Sequence, residues 1–449
     1  MNYPKRKIKM KINKHHIQLF TCTPVGIGNE QGDELSPLTD FIIQEQRVIY
    51  IDQEKLARRV EEKKLMDRFV RGAGKLDNTR TRFDLQVFIK NELRTSISSL
   101  VKYTIPLNGK ADRRTTIRPV LKTAGRPFVS GSSIKGAIKT AILYYWLTSK
   151  EQGRENLNKI VEYTEKEYNT HKIRIEKLEE KKHRTDVLTG KIKTSKDSLK
   201  KKLKKEKYRL QNEIKSEEKM LNKLLGHFNS HLDQSISSLF GDIGRDKDKI
   251  PDFSNLRISD TNTMSIDKLA VYETKRLHLL KGKLTIPVCL EMIKPGVMTN
   301  FHVSTFNRFH HPDLYFLNEE NLKVLWDIIN NFSAASVDHE WQMLDDHNDN
   351  SNINHADELN LYNDLLTFYE SFHPEIGKDR NTAYLRLGFG KSFFDNSIGL
   401  AIYKASRETF MKYVKLFQLG KPHQKVFPVT RTICTVPFLP TGWVKMIIH

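Results

Sequence analysis

The first residues alternate. Ile8, Met10 and Ile12 are separated by lysines, and Ile17, Leu19 and Phe20 carry the run onward. A period of two predicts a half-buried strand. Phe41–Ile43 and Val48–Ile51 flank the polar Gln44-Glu45-Gln46-Arg47, the pattern of a β-hairpin. Residues 55–71 read as a helix. Residues 117–122 read as a strand that feeds a tight Gly131-Ser132-Ser133 turn. Beyond the turn, Ile134, Ala137, Ile138, Ala141, Ile142 and Tyr145 recur at helical spacing.

Residues 151–227 change character. They hold no proline, and Lys and Glu abound. Leu157, Val161, Tyr168, Ile175 and Leu178 form one apolar seam. After a turn-like 185–190 stretch, Ile192, Leu203, Ile214 and Leu225 recur every 11 residues, a period that keeps one face of a nearly straight supercoil. The pattern predicts two helices of about 35 residues packed as a hairpin, each about 50 Å long. The basic run 191–209 lies on the second helix. It reads as a solvated coiled-coil face, with a nucleic-acid-facing stripe as the alternative.

The remainder is globular again. Residues 256–264 (LRISDTNTM) are strand-like, and 283–304 predict two strands across a Lys294-Pro295-Gly296 turn. Residues 321–332 and 359–372 predict helices, with the acidic, His- and Asn-rich 336–358 as a loop between them. TAYLRLGFGKS is a strand entering a second Gly-rich turn, and 444–448 is a final strand.

Charge sharpens this picture. The chain of 449 residues carries 75 Lys and Arg against 54 Asp and Glu, a net +21. Such a field attracts polyanions and makes their binding salt-dependent. A hydrophobic content of 38% is that of a globular chain rather than a disordered one. Cys22, Cys289 and Cys434 are odd in number and widely spaced, against a disulfide scaffold and in keeping with a reducing cytoplasm. The basic N-terminus lacks the apolar core of a signal peptide, and no apolar run approaches the length of a membrane span.

The Gly131–Gly136 bend is the first candidate site. Its glycines permit close approach, amides at a helix start favour an anion, and Ser132, Ser133 and Lys135 add hydroxyls and an ammonium. Arg386, Gly388, Gly390 and Lys391 are the second, expected to join the first in one basic cradle for a ribose–phosphate strand. Arg118, Lys122 and Arg431 are further phosphate candidates. The Gly-x-Gly of the second bend fits neither a P-loop nor a dinucleotide fingerprint. His339, His347 and His355, like His302, His310 and His311, show no zinc spacing, and no metal or cofactor is expected.

The motifs have a familiar order. GSSIKGAIKTAIL resembles the signature of the RAMP superfamily of CRISPR proteins, and LRLGFGKS resembles its C-terminal Gly-rich loop. PVGIGNEQGDEL, RISDTNTM, VCLEMIKPGVMTNFHVS and TRTICTVPFLPTGWVKM resemble, in that order, the Csm-group subunit at the 3′ end of the guide in type III-A complexes. The sequence departs from that family at Ser130, where a proline is usual, and in the charged hairpin. The resemblance implies an α+β protein of RRM-like (ferredoxin-like) modules, at 1–150 and 228–449, with 151–227 inserted. It also implies CRISPR RNA as ligand, Csm-group backbone and small subunits as partners, and recruited nucleases that trim the guide. Two catalytic alternatives remain. Asp33 and Glu34 could hold a metal for RNA cleavage. His15 and His16 could act as base and acid, although alternation splits them across the strand.

Overall fold

A computed structural model describes residues 12–28, 34–74, 83–112, 115–228, 230, 232, 256–306, 312–318, 322–348, 356–421 and 424–448. Its strands are β1 (Ile12–Thr21), β2 (Phe41–Gln44), β3 (Arg47–Ile51), β4 (Val101–Asn108), β5 (Ile117–Arg118), β6 (Lys122–Thr123), β7 (Arg126–Pro127), β8 (Arg257–Ile258), β9 (Leu269–His278), β10 (Lys283–Ile293), β11 (Met298–Phe306), β12 (Thr382–Arg386), β13 (Thr430–Thr435), β14 (Phe438–Pro440) and β15 (Trp443–Ile448). Its main helices are α1 (Gln53–Glu62), α2 (Met66–Ala73), α3 (Gly131–Ser149), α4 (Glu151–Thr194), α5 (Asp197–Leu224), α6 (Lys323–Asn348), α7 (Ala356–Phe372), α8 (Gly399–Ala405) and α9 (Arg407–Leu416).

Two sheets organise the molecule. The first runs β12-β15-β1-β11-β8, antiparallel throughout. The second runs β14-β13-β9-β4-β3-β2, with β10 also paired to β9 and to β5. Ile17 and Leu19 of β1, Phe301 and Val303 of β11, and Val444 and Met446 of β15 point to one face of the first sheet. There they share a core with Ile134, Ile138, Ala141 and Ile142 of α3 and Leu325 and Ile329 of α6. Period two on the strands meets a 3.6-residue period on the helices, which gives α+β layering. A smaller core under β2, β3 and β4 gathers Leu56 and Val60 of α1 with Leu85, Phe88 and Ile89.

The boundary expected between 1–150 and 228–449 does not separate two sheets. β1 lies hydrogen-bonded between β11 and β15, and β4 pairs with β9. Each sheet takes strands from both ends of the chain, because the long-range pairings satisfy edges that local hairpins leave open. Local features follow the sequence more closely. The hairpin turn falls at Glu45-Gln46, both with positive φ, the backbone a two-residue turn requires. The helix expected over 55–71 is broken by Lys64, also at positive φ.

Two expectations change. The insertion is a 44-residue α4 and a 28-residue α5 that reverse at Ser195–Lys196, not near 185–190. Gly190 lies inside α4, where one glycine between good helix formers costs only about 1 kcal/mol. Residues 336–348 are helix rather than loop. Val337, Met343 and Leu344 are buried there beside Ser333, Ser336 and Glu340. Polar residues on that buried stripe hid its helical period, because their hydrogen-bond partners are remote in sequence.

Candidate nucleic-acid interface

Ser130 caps α3 from an extended conformation, its Oγ accepting from the Ser133 amide at 3.4 Å. The Gly131 amide donates to Asp260 Oδ1 at 2.8 Å. The helix start is therefore already occupied by a carboxylate of this chain, which corrects the expectation of free amides awaiting a phosphate. Gly131 is required by contact. A Cβ there would lie 2.4 Å from the Ile258 carbonyl oxygen and 2.6 Å from that of Ser259. Reciprocal bonds fasten the same two segments: Val129 N to Thr261 Oγ1 at 2.9 Å, and Thr261 N to Val129 O at 3.0 Å. The GSSIKG and RISDTNTM motifs thus form one joint.

What the joint presents outward is side-chain chemistry. Ser132 and Gly136 are exposed, Ser133 is half-buried with its Oγ 2.7 Å from that of Ser130, and a Cβ at Gly136 would meet nothing within 4 Å. Lys135 is half-buried. Desolvation first, then the charges of Arg257 and Lys139, pull its ammonium below the ordinary lysine range. Arg257 and Lys139 therefore lie close enough to Lys135 to repel its charge, and a polyanion would relieve that repulsion. Beside them, His16 of β1 sits opposite His302 of β11 with ring centroids 5.3 Å apart. The His302 amide donates to Ser259 Oγ at 2.9 Å, linking that histidine to the joint. Lys139, Arg257 and His302 escaped sequence reasoning as site residues. Lys139 was within its reach, four residues after Lys135 on one helical face; Arg257 and His302 were not, since only strand pairing brings them near.

The second bend is built differently. Gly388 has φ +68°, and a Cβ there would lie 2.2 Å from the Gly26 oxygen. The Phe389 amide donates to Gly26 O at 2.7 Å, and Leu387 N to Gly442 O at 2.7 Å. Gly390 has φ +92° and packs against Thr441. PVGIG, LGFG and PTGW, far apart in the chain, thus meet backbone to backbone. The basic groups turn inward. Arg386 is 4% exposed, donates to Thr441 O at 3.0 Å and pairs with Asp395 at 3.1 Å. Burial pushes the Asp395 carboxyl up, but Arg386, Ser336 and the Ser392 amide outweigh it and hold it below the usual range. Arg431 is 5% exposed and ion-paired to buried Glu340 of α6. Lys391 is half-buried, and burial lowers its ammonium. The expectation that Arg386 and Arg431 offer open charge to a phosphate is therefore corrected. Gly131 seats on Ile258–Ser259 and Gly388 on Gly26, while Arg386 and Arg431 tie β12 and β13 to the segment around Asp395 and to α6. Their charge is spent inside because each faces a buried carboxylate.

The remaining candidates divide in the same way. Lys122 is ion-paired to buried Glu291, which also accepts the Val120 amide at 3.0 Å. Arg118 is exposed and pairs with Glu34 at 2.8 Å, and Thr116 donates to the other Glu34 oxygen at 2.8 Å. Those bonds, Thr116 first and then Arg118, draw the Glu34 carboxyl below its ordinary range. Asp33, His310, His311 and His355 lie outside the described residues. His15 is half-buried and His16 exposed, on opposite faces of β1. His339 and His347 are buried on α6 rather than solvated. No group of three potential metal ligands occurs among the described residues, and no described helix is long and apolar enough to cross a membrane.

Helices layered on mainly antiparallel, curled sheets, with cations gathered where a helix start meets a sheet edge, define an α+β protein of RRM-like construction. The chain belongs to the RAMP superfamily, whose family model matches residues 19–394. Its fold is shared along almost its full length with solved structures. A chain from the cryo-EM structure of a Csm–crRNA–target RNA ternary complex of a type III-A CRISPR-Cas system is 19% identical, with a TM-score of 0.60, covering 98% of this chain and 100% of that one. Csm5 from T. onnurineus is 20% identical, with a TM-score of 0.56, covering 95% and 99% respectively. No curated protein matches the chain.

Proposed function

We propose that this chain is a CRISPR RNA-binding structural subunit of a type III-A interference complex, that it holds the 3′-proximal part of the guide, and that it supports 3′-end maturation. The observation that carries this reading is the fold it shares, over 98% of its length, with a chain of a Csm–crRNA–target RNA complex. The site supports it locally: Lys135, Lys139 and Arg257 lie together beside the exposed Ser132 and Gly136 of the first turns of α3. Ammonium and guanidinium groups recognise phosphates without reading bases, so guide sequence should matter little. Csm-group backbone and small subunits are the proposed partners, with trimming left to recruited nucleases.

A binding role is preferred over cleavage for two reasons. Glu34 is engaged by Arg118 and Thr116 rather than open to a metal ion, and His15 and His16 face opposite sides of their strand. The test is reconstitution of the complex around a tagged chain. Wild type should retain guide RNA, and Lys135→Glu with Lys139→Glu should lose most of it while melting at the same temperature. Full retention by that variant overturns the site. Cleavage of labelled guide by the isolated chain, with or without chelator, overturns the non-catalytic assignment.

A further inference from the structure

The inserted hairpin is electrically divided along its length. Residues 151–182 carry eight basic and eight acidic side chains, and residues 210–225 carry three of each. Both stretches are neutral. Between them, residues 184–209 carry eleven Lys and Arg against three Asp and Glu, a net +8 out of the +21 of the whole chain. The neutral part is the docked part. Lys412 and Lys415 of α9 reach Glu165 and Glu179 of α4 at 2.6 and 3.9 Å, and Lys182 reaches Gln418 at 2.9 Å. Across the hairpin, Arg174 pairs with Glu217, Lys181 with Glu213 and Lys182 with Glu218.

Past Lys182 this pairing thins out. The tip holds Arg184–Glu206, Lys200–Asp197 and Arg209–Glu213. Lys191, Lys193, Lys196, Lys201, Lys202, Lys204 and Lys205 are exposed, and none has a carboxylate partner among the described residues. Lys200 and Lys204, and Lys201 and Lys205, are like charges four residues apart on one helix, an arrangement that weakens a helix. Tyr208, 67% exposed, stands among them. The apolar stripe of α5 beyond the tip, Leu210, Ile214 and Leu221, is buried, and within the tip the exposed apolar side chains Val187 and Leu199 are scattered singly among the lysines.

We infer that the tip of the hairpin, residues 184–209, is a second binding site for single-stranded RNA, separate from the joint at α3 and reached by a strand running beyond the globular part. Phosphates offset the lysine repulsion and need only point charges, while Tyr208 offers a ring on which any base can stack. This extends the RNA-binding reading of the core without depending on its site.

The test uses the full chain and a fluorescent 30-nucleotide poly-U RNA. The variant K200Q/K201Q/K204Q/K205Q should bind roughly tenfold more weakly at 100 mM salt, and the slope of log affinity against log salt should flatten by about 2–3. Its helical circular dichroism should hold, and its melting temperature should hold or rise, because repulsion has been removed. Tyr208→Ala should weaken binding without flattening the slope. Unchanged affinity and slope in the quadruple variant overturn the inference, as does loss of binding only to phosphatidylserine vesicles. The K135E/K139E variant separates the two readings. If it keeps guide RNA in the assembled complex while the tip variant loses affinity for poly-U, the core site fails and the tip stands.

Discussion

The bends at 130–136 and 387–391 look alike as sequence, each setting glycines beside a lysine at the edge of an apolar segment. Folded, they are opposites. At the first, one glycine is pressed against the Ile258–Ser259 backbone while Ser132 and Gly136 are exposed and Lys135 is half-buried beside them. At the second, both glycines are pressed inward at positive φ, and the neighbouring arginine is buried against Asp395. Glycine marks close approach in both cases. What approaches, a strand of the same molecule or something else, is decided by which faces the sheets leave open.

The comparison can be broken most severely at Arg386. Arg386→Leu strands the Asp395 carboxylate in the interior and should cost about 3–5 kcal/mol in urea denaturation. Adding Asp395→Asn should recover part of the loss. Little destabilisation would mean that the second bend is not held from within. Gly388→Ala comes next. A Cβ 2.2 Å from the Gly26 oxygen, in a left-handed backbone, should cost about 2–4 kcal/mol, with RNA affinity per folded molecule unchanged.

A pH experiment probes the buried side alone. Burial, with Arg431, Lys404 and Arg407 nearby and Asp395 opposing them, lowers His339 to about 3. In the folded state this histidine stays neutral, while in the unfolded state it takes a proton near 6.5. Between pH 6.5 and the carboxylate range the unfolded chain binds more protons, so stability falls as pH falls. The effect should reach about 2 kcal/mol by pH 5. His339→Phe should flatten that slope, read from denaturation midpoints at pH 5 and 7.

The smallest effect is the most discriminating. Gly136→Ala places a methyl in open space within a helix and should raise stability by about 0.5–1 kcal/mol. If an RNA backbone passes close to Gly136, the same change should weaken guide retention. Stability gained with no loss of RNA would place the strand elsewhere on α3.

Much was legible from local pattern. Alternation located β1, the Lys294-Pro295-Gly296 turn divided β10 from β11, helical periodicity located α3 and the hairpin, and the glycine clusters marked real joints. Other features were hidden for identifiable reasons. α6 was concealed because Ser336 and Glu340 are buried polar residues whose partners, Asp395 and Arg431, come from other elements. Arg257 and His302 carried no signal, because a two-residue strand and an alternating one become neighbours only through register.

The sequence alone determined many of the elements, the excess of positive charge, its concentration between 184 and 209, and the family the motifs resemble. These depend on short-range periodicity and composition, which survive without coordinates. Only the tertiary structure decided which cations face water. A lysine or arginine beside a glycine reads the same in sequence whether or not a buried carboxylate awaits it, and Glu291, Glu340 and Asp395 are brought to Lys122, Arg431 and Arg386 by the packing of the sheets and α6.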